Sequence, residues 1–444
     1  MQIFGGTSVF PLTRQSYQFV TAWHVLALFL FGGTSIVFAQ NGEQDADEEA
    51  VVEEFEPDDW TPPDWWMDQV ASETFRRQEK LKINGLKSNN PNRQQVEGLK
   101  KLAHYYLSLL TYPENRAKIP REVTQRFLSE LLSTLNRAGG RAALMDEIIE
   151  KSKDLMNHPS EQVRTNVALL LIQLSIEPSD FQTKTPAVPY NPVYEALLEI
   201  LQDSSQIQEV RIVAANGLTR LCRDGQNAPS STERSEIADA LTSQLQATPP
   251  SADEGVEWYR RRMIQALGFV GRIDNVSGQP VVIDELMSVI RNKQETWVNR
   301  AEACQSITQL PYTSSVNVEL ITHEICRFLE AMVRSQGFSK APSANLWIQA
   351  FSRVYLAFRP ATQADAEIRN YGLLYQVKRP GLGGQEAYVR AAFEKALPVL
   401  TPVLTNVSGK PALSKSAFDA FSTWVSSNPP SSRKLTTGGQ DIPE

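Results

Sequence analysis

The chain of 444 residues carries 44 Lys and Arg against 51 Asp and Glu, a formal net charge of −7 at pH 7. Hydrophobic residues make up 41% and charged residues 21%, which is the composition of an ordinary soluble protein. The length suffices for a large buried core and, taken alone, for two or three domains.

The negative charge is concentrated near the N-terminus. Residues 41–59 contain ten acidic side chains and no Lys or Arg. Because these ten exceed the whole net charge, the rest of the chain is close to neutral. A basic surface for nucleic acid is therefore not expected, so we predict no nucleic-acid partner. Residues 40–59 are predicted to form an acidic, disordered linker.

An apolar run precedes this linker. Arg14 is followed by residues 19–39, which contain no Asp, Glu, Lys or Arg and end with small residues at Val37 and Ala39. This pattern predicts a secretory signal peptide over residues 1–39. The alternative is an uncleaved membrane anchor, because the run is near the length that spans a bilayer. We expect an exported protein, located in a bacterial periplasm or cell envelope, or otherwise secreted.

A tryptophan-rich stretch opens the region 60–140. The stretch "DDWTPPDWWM" (58–67) contains Trp60, Trp65 and Trp66. Its two prolines exclude a helix through the middle. Three interpretations are open for the tryptophans: they cover the exposed apolar end of the following fold, they form a linear motif for a partner, or they stack on a sugar.

From about residue 72 to 427, apolar residues recur at spacings of three and four, which predicts about sixteen successive helices and no sustained strand. Two helix starts have capping-box spacing, Ser230 with Glu233 and Ser251 with Glu254. The chain is therefore predicted to be all-α.

Four segments align on an arginine. The arginines are Arg164, Arg211, Arg260 and Arg300, and each is followed by apolar residues at positions +3, +4 and +7. Each segment follows a partner helix, predicted over residues 141–157, 192–203, 232–247 and 281–292. A helix with apolar residues at these positions buries one full face. One such pair cannot bury its own apolar face, so the pairs are expected to stack.

The segments "VRTNVALLLIQL" and "VRIVAANGLTRL" resemble the second helix of HEAT or armadillo-like repeats, and the resemblance is best over residues 141–310. It implies a right-handed α-α superhelix of helical hairpins. It also implies that a turn acid pairs with the repeat arginine, for which only Asp203 and Asp253 lie near suitable places. The first unit has His158 in that region, and the last has Asn292 and Glu295. Most members of this family are protein-binding scaffolds.

The remaining chain continues the helical pattern. Residues 311–428 are predicted to form C-terminal helical repeats and a cap, with a fifth pair over 317–359. Residues 429–444 lack apolar content and are predicted to form a disordered tail.

No residue pattern indicates catalysis, a metal or a cofactor. The four histidines are scattered, and HExxH, GxSxG and phosphate-loop motifs are missing. Glu147 and Glu150 are one turn apart on a helix face predicted to be exposed. The chain is therefore predicted to be no enzyme, with no cofactor.

Three cysteines, Cys222, Cys304 and Cys326, lie in predicted helices among apolar neighbours. Buried free thiols are one interpretation, and one disulfide with a leftover thiol is the other.

The run Arg260 to Arg262 is the most basic cluster in the repeats. Consecutive helical residues point about 100° apart, so the three cannot form one flat patch. One is expected to be the structural repeat arginine, whereas Arg261 and Arg262 are either solvated or bind an anion.

These observations predict an exported, non-catalytic scaffold that binds a protein or peptide on its repeat surface. One alternative is an α/α-toroid enzyme acting on polysaccharide, with a cleft lined by Trp258, Trp297, Trp347 and Trp424. Another is a structural envelope component tethered to the membrane, which requires residues 19–39 to remain uncleaved.

Overall fold

The computed structural model describes residues 60–79, 88–116, 138–179, 185–226, 228–336, 344–359, 371–405 and 413–442. The predicted signal segment and acidic linker lie outside these residues. The described chain is mostly helical and has two short strands, which confirms the all-α class. Within the described ranges, none of the helices is both long enough and apolar enough to span a bilayer.

The helices follow one another in chain order with short connections. They are α1 (Gln69–Glu79), α2 (Arg93–Thr111), α3 (Pro113–Arg116), α4 (Ala138–Leu155), α5 (Glu161–Leu171), α6 (Val193–Gln202), α7 (Gln208–Asp224), α8 (Ser231–Ala247), α9 (Glu254–Phe269), α10 (Val281–Arg291), α11 (Trp297–Gln309), α12 (Val318–Gln336), α13 (Ala344–Phe358), α14 (Leu373–Gln376), α15 (Glu386–Thr405) and α16 (Lys415–Ser427). The predicted partner helices α4, α6, α8 and α10 match these bounds to within three residues.

Helices α4 to α13 pack in two layers. The first layer contains α4, α6, α8, α10 and α12, each in contact with the next. The second layer contains α5, α7, α9, α11 and α13, which also pack in series. The first four pairs, from α4–α5 to α10–α11, also pack within the pair. This arrangement is compatible with a helical-repeat fold.

The aliphatic residue seven positions after each repeat arginine forms the centre of the second layer. Leu171, Leu218, Leu267 and Ile307 are completely buried, as predicted from the spacing. Burial of one such side chain contributes about 1.5 to 3 kcal/mol. The repeated stripe therefore supplies much of the apolar contact between successive pairs.

One of the two predicted capping boxes is confirmed. The Ser230 hydroxyl accepts from the Glu233 amide, and the Glu233 carboxylate accepts from the Ser230 amide. The other prediction is wrong, because Asp253 rather than Ser251 caps α9, accepting from the Val256 amide at 2.9 Å. A carboxylate two residues closer to the helix satisfies the same free amides.

A small hairpin between α5 and α6 was not predicted. Strand β1 (Ser175–Glu177) pairs antiparallel with β2 (Val188–Pro189). Arg220 of α7 supports β1 from the second layer by donating to the Ile172 carbonyl at 2.5 Å and to the Ser175 hydroxyl at 2.6 Å. Strands of two or three residues are too short to produce a period-2 pattern.

The C-terminal helices close against the last first-layer helix, since α15 and α16 both contact α12. The following residues differ from the predicted disordered tail. Thr437 donates its amide to the Ser315 carbonyl at 2.8 Å, Leu435 accepts from the Asn317 amide at 2.9 Å, and the Leu435 side chain is buried. One buried leucine and main-chain bonds hold residues 434–437 on the loop before α12.

All three cysteines are buried and free. Burial raises the pKa of the Cys222 thiol to about 12 and raises those of Cys304 and Cys326 further, so the neutral thiol is favoured. The disulfide interpretation is therefore not supported.

The close approach of α9 and α11 generates a prediction at Gly268. A Cβ there would lie 2.8 Å from Ser306 Cβ and 2.9 Å from Ser306 Cα, so the helices would have to separate. Gly268→Ala should lower the free energy of unfolding by about 1 to 3 kcal/mol in chemical denaturation, despite the better helix propensity of alanine.

Gly98 in α2 is the matched control, because a Cβ there has no neighbour within 4 Å. Gly98→Ala should raise stability by up to about 1 kcal/mol. Equal effects of the two substitutions would show that α9 and α11 are not in close contact.

Candidate binding surface and N-terminal Trp strap

Residues 60–67, here called the Trp strap, lie across the first helices of the fold. Trp65 donates its indole N–H to Asp154 of α4 at 2.7 Å, and Trp66 donates to the Thr111 hydroxyl of α2 at 2.9 Å. The Met67 amide donates to Ser108 at 3.0 Å. Each of the two indoles therefore combines apolar contact with a satisfied polar group.

The rings of the strap pack edge to face. Trp66 contacts Trp60 and Tyr112, with ring centroids 6.1 and 6.0 Å apart and planes nearly perpendicular. Trp60 also packs on His158, in the turn between α4 and α5, at 4.4 Å. The strap thus connects α2, α4 and the α4–α5 turn.

A buried carboxylate is linked to Trp65 through His104. The ring of Trp65 is 5.4 Å from that of His104, which hydrogen-bonds Glu147 at 2.8 Å. Lys100 adds an ion pair to Glu147 at 3.4 Å. Glu147 is buried, so the prediction of an exposed position is wrong for it, whereas Glu150 is exposed as predicted. These partners lower the pKa of Glu147 although its burial acts in the opposite direction.

His158 is held neutral. Its Nδ1 accepts from the Ser160 amide at 3.0 Å. Burial, assisted by the positive charges of Arg116 and Arg164, lowers the pKa of His158 to about 4. Since a buried neutral imidazole presents an apolar ring face, it suits the packing of Trp60.

Three of the four repeat arginines make the same contact. Arg211, Arg260 and Arg300 each donate to a main-chain carbonyl at the end of the preceding first-layer helix. The acceptors are Leu201, Leu245 and Ile290, at 3.2, 2.7 and 2.8 Å. A cation at a helix C-terminus is favourable because it meets free carbonyls and the negative end of the helix dipole.

Each of these three arginines also contacts the next pair. Arg260 forms a buried ion pair with Glu295, in the turn before α11. Arg211 lies over the Tyr259 ring at 5.1 Å, and Arg300 lies over the Phe328 ring at 4.7 Å. The arginines therefore connect the two helices of a pair and couple that pair to its neighbour.

The acid ladder implied by the repeat resemblance is not formed. Asp203 accepts from Ser205 and Gln206 in its own turn, and Asp253 caps α9. Of Asp203, Asp253 and Glu295, only Glu295 pairs with a repeat arginine, and it comes from the following pair rather than the same one. Carbonyl groups take the place of the expected carboxylates as the arginines' partners.

Arg164 departs from the pattern. Its Nε is buried and has no hydrogen-bond partner, and its nearest carboxylate, Glu161, is 4.0 Å away. The Met156 carbonyl at the end of α4 accepts instead from Gln206 of the next turn, at 2.9 Å. In the first pair, the carbonyl at the end of α4 is therefore satisfied by Gln206 of the next pair rather than by Arg164.

Arg261 and Arg262 separate on the surface of α9. Arg261 pairs with Glu257 and donates to Asn299 at 3.2 Å. Arg262 lies over the Trp258 ring at 5.0 Å and donates to Gln265 at 2.8 Å. Arg261 is therefore neutralised locally, whereas Arg262 is held by an aromatic ring and an amide.

Polar contacts continue from α9 to the next second-layer helices, α11 and α13. Arg353 of α13 donates to Gln305 of α11 at 2.7 Å and pairs with Glu302 at 3.0 Å. Five side chains on the second-layer helices α9, α11 and α13 are here called the second-layer surface: Trp258, Arg262, Gln265, Gln305 and Arg353. Sequence reasoning missed Arg353 and Gln305, because α13 does not align with the four arginine segments and an isolated glutamine carries no motif.

Trp258 is 38% exposed, and few other large apolar side chains of the described residues are exposed. Trp297 and Trp347 pack on each other at 6.3 Å, and Trp297 also packs on Phe328. Trp424 packs on Tyr388. Of the four tryptophans considered for a sugar cleft, three are therefore engaged in ring packing. In the described ranges, no three His, Cys, Asp or Glu side chains are placed to hold a metal ion.

The contacts of the Trp strap predict a stability effect. Trp66→Ala removes ring contacts with Trp60 and Tyr112 and should lower the free energy of unfolding by about 2 to 3 kcal/mol. Val70→Ala is the control, because Val70 is 75% exposed, and its effect should stay within about 0.5 kcal/mol. Unchanged stability of Trp66→Ala would contradict a covering role and favour the linear-motif interpretation.

Comparison with known proteins adds no family assignment: no protein-family model, no curated protein and no solved structure matches the chain.

Proposed function

We propose that the chain is an exported, non-catalytic scaffold of the HEAT-like type. The helix pairs would follow a right-handed superhelix, and a protein or peptide partner would bind the second-layer surface. The Trp strap would cover the first end of the repeat stack, and the signal segment would direct export to the periplasm or envelope.

The observation that carries this proposal is the composition of the second-layer surface. An exposed tryptophan, two arginines and two glutamines continue across three successive helices. Amides and guanidinium groups offer donors and acceptors to a peptide main chain, and an exposed indole offers apolar contact. Aromatic and arginine side chains are also the residues that most often dominate binding energy in interfaces.

The toroid enzyme receives less support. Its cleft would need exposed aromatics beside opposed carboxylates. Trp347 is buried and Trp297 packs on it, while Glu302 is buried and already paired with Arg353. The alternative of a membrane-tethered structural component depends on whether residues 19–39 are retained, and it is compatible with the same second-layer surface.

Site-specific photo-crosslinking in the native host tests the proposal. A photoreactive amino acid replaces Gln349, which is exposed one turn before Arg353 on α13. A matched variant carries it at Glu199, exposed on first-layer helix α6. We expect discrete protein adducts from position 349 and none from position 199.

Equal adducts from both positions would contradict a specific second-layer surface. Repeated failure to find an adduct from position 349, with the protein folded and exported, would contradict the scaffold function itself.

A further inference from the structure

Charge is divided between the two layers of the described fold. In the second-layer helices, nine arginines face six carboxylates, whereas the first-layer helices carry seven Lys and Arg against fourteen carboxylates. The second layer is therefore net positive and the first layer net negative. An acidic segment is attracted to one layer and repelled by the other.

The carboxylates of the second layer lie mainly at one edge. Glu161, Glu209 and Glu254 are in the first turns of α5, α7 and α9, where they offset the positive ends of the helix dipoles. Arg262 and Arg353 lie farther along their helices. The positive charge is thus displaced from this edge toward the middle of the surface.

Arg262 is the least compensated cation of this surface. No carboxylate of the described residues lies within ion-pair distance of it. One Nη donates to Gln265, and the other Nη makes no hydrogen bond with the described residues. Glu302, the nearest candidate on α11, is paired with Arg353 at 3.0 Å. A guanidinium group that keeps free donors next to an exposed indole is suited to a carboxylate carried on a peptide.

The acidic segment of the same chain joins the described fold at the start of the second layer. Trp60 is fixed on His158, at the turn that leads into α5, the first helix of the second layer. Helices α5 and α9 are two neighbours apart, which corresponds to about 20 Å at usual helix spacing. Arg262 is about 12 Å along α9 from its first residue.

The length of the acidic segment matches this separation. Extended chain covers about 3.3 Å per residue, so Glu54 and Glu53, six and seven residues before Trp60, reach about 20 to 23 Å, and Glu49 and Glu48 reach farther. Several carboxylates of the segment are therefore within reach of Arg262 without any change in the described fold.

We infer that residues 43–59 occupy the second-layer surface of their own chain, with carboxylates of residues 48–54 on Arg262. This inference rests on the proposed function, because it takes the second-layer surface to be the binding surface, and it assigns acidic extended peptides as the class of ligand. A partner would then have to displace the tethered segment, whose effective concentration is in the millimolar range.

The test uses a fluorescein-labelled synthetic peptide of residues 43–59 and measures its binding by fluorescence anisotropy. The proteins are the full chain and a full-length variant with Glu48, Glu49, Glu53 and Glu54 changed to Gln. The peptide should bind the variant at least ten-fold more tightly than the unchanged chain, because the tethered segment no longer competes. Binding should weaken as salt is raised.

Further substitutions in the variant background locate the site. Arg262→Gln should weaken peptide binding at least five-fold. Gln265→Glu supplies Arg262 with a carboxylate in place and should have a similar effect, which covers the case in which one variant folds poorly. Arg327→Gln on first-layer helix α12, whose side chain is 47% exposed, should leave binding unchanged.

Equal peptide binding by the unchanged chain and the Gln variant would overturn the inference, as would unchanged binding by both Arg262→Gln and Gln265→Glu. Dilution of the unchanged chain should not affect competition by a segment tethered to the same chain. If the labelled peptide binds the unchanged chain more tightly on dilution, the segment occupies the surface of a second copy, and the inference is overturned. An adduct from position 349 without peptide binding would refute this inference alone, whereas peptide binding without such an adduct would leave the partner-scaffold function unsupported.

Discussion

The second-layer helices bury apolar side chains against the helices before and after them as well as against their own partners. Leu218, Leu267 and Ile307 are completely buried, and Gly268 brings α9 close to α11. A single pair has no partner for these faces, so each pair depends on its neighbours. The packing of the pairs in two layers follows from this requirement.

Hydrogen bonds from arginines fix the alignment of helices that apolar contacts hold together. Arg211, Arg260 and Arg300 donate to the carbonyls that end the preceding first-layer helix, which fixes the two helices of each pair relative to one another. Their other contacts reach forward to Tyr259, Glu295 and Phe328. Apolar burial alone permits sliding between helices, whereas hydrogen bonds to specific carbonyls select one register.

Two charged regions thus have different roles. Buried arginines such as Arg260 are saturated by carbonyls and a carboxylate and belong to the fold. Arg262, two residues farther along the same helix, is half-buried: its Nε is inaccessible, one Nη donates to Gln265, and the other Nη retains its donors. The 100° rotation per residue places neighbouring arginines in such different environments.

Much of the helical framework could be predicted from the sequence, because it depends on local periodicity. The +7 positions and the partner helices α6, α8 and α10 are local patterns of apolar spacing and helix breakers. Features that depend on tertiary contact could not be predicted. The burial of Glu147 requires His104, forty-three residues away, and the docking of Leu435 requires the loop before α12.

Only part of the second-layer surface could be predicted from the sequence. The sequence predicts Arg262 as a possible anion-binding residue and Trp258 as a possible residue of a sugar cleft, so it does not predict that the two belong to one surface. Their cation–π contact depends on i, i+4 geometry in a helix whose other face is buried. Arg353 joins them only because α13 packs on α11.

The most direct test of neighbour dependence is a double-mutant cycle across the boundary between two pairs. Arg260→Leu, Glu295→Leu and the double variant are compared by chemical denaturation. Each single change leaves a buried charge without its partner and should cost about 3 to 5 kcal/mol. The double variant should cost less than the sum by about 2 kcal/mol or more, because neither charge remains. Strictly additive losses would contradict coupling of adjacent pairs through the buried ion pair.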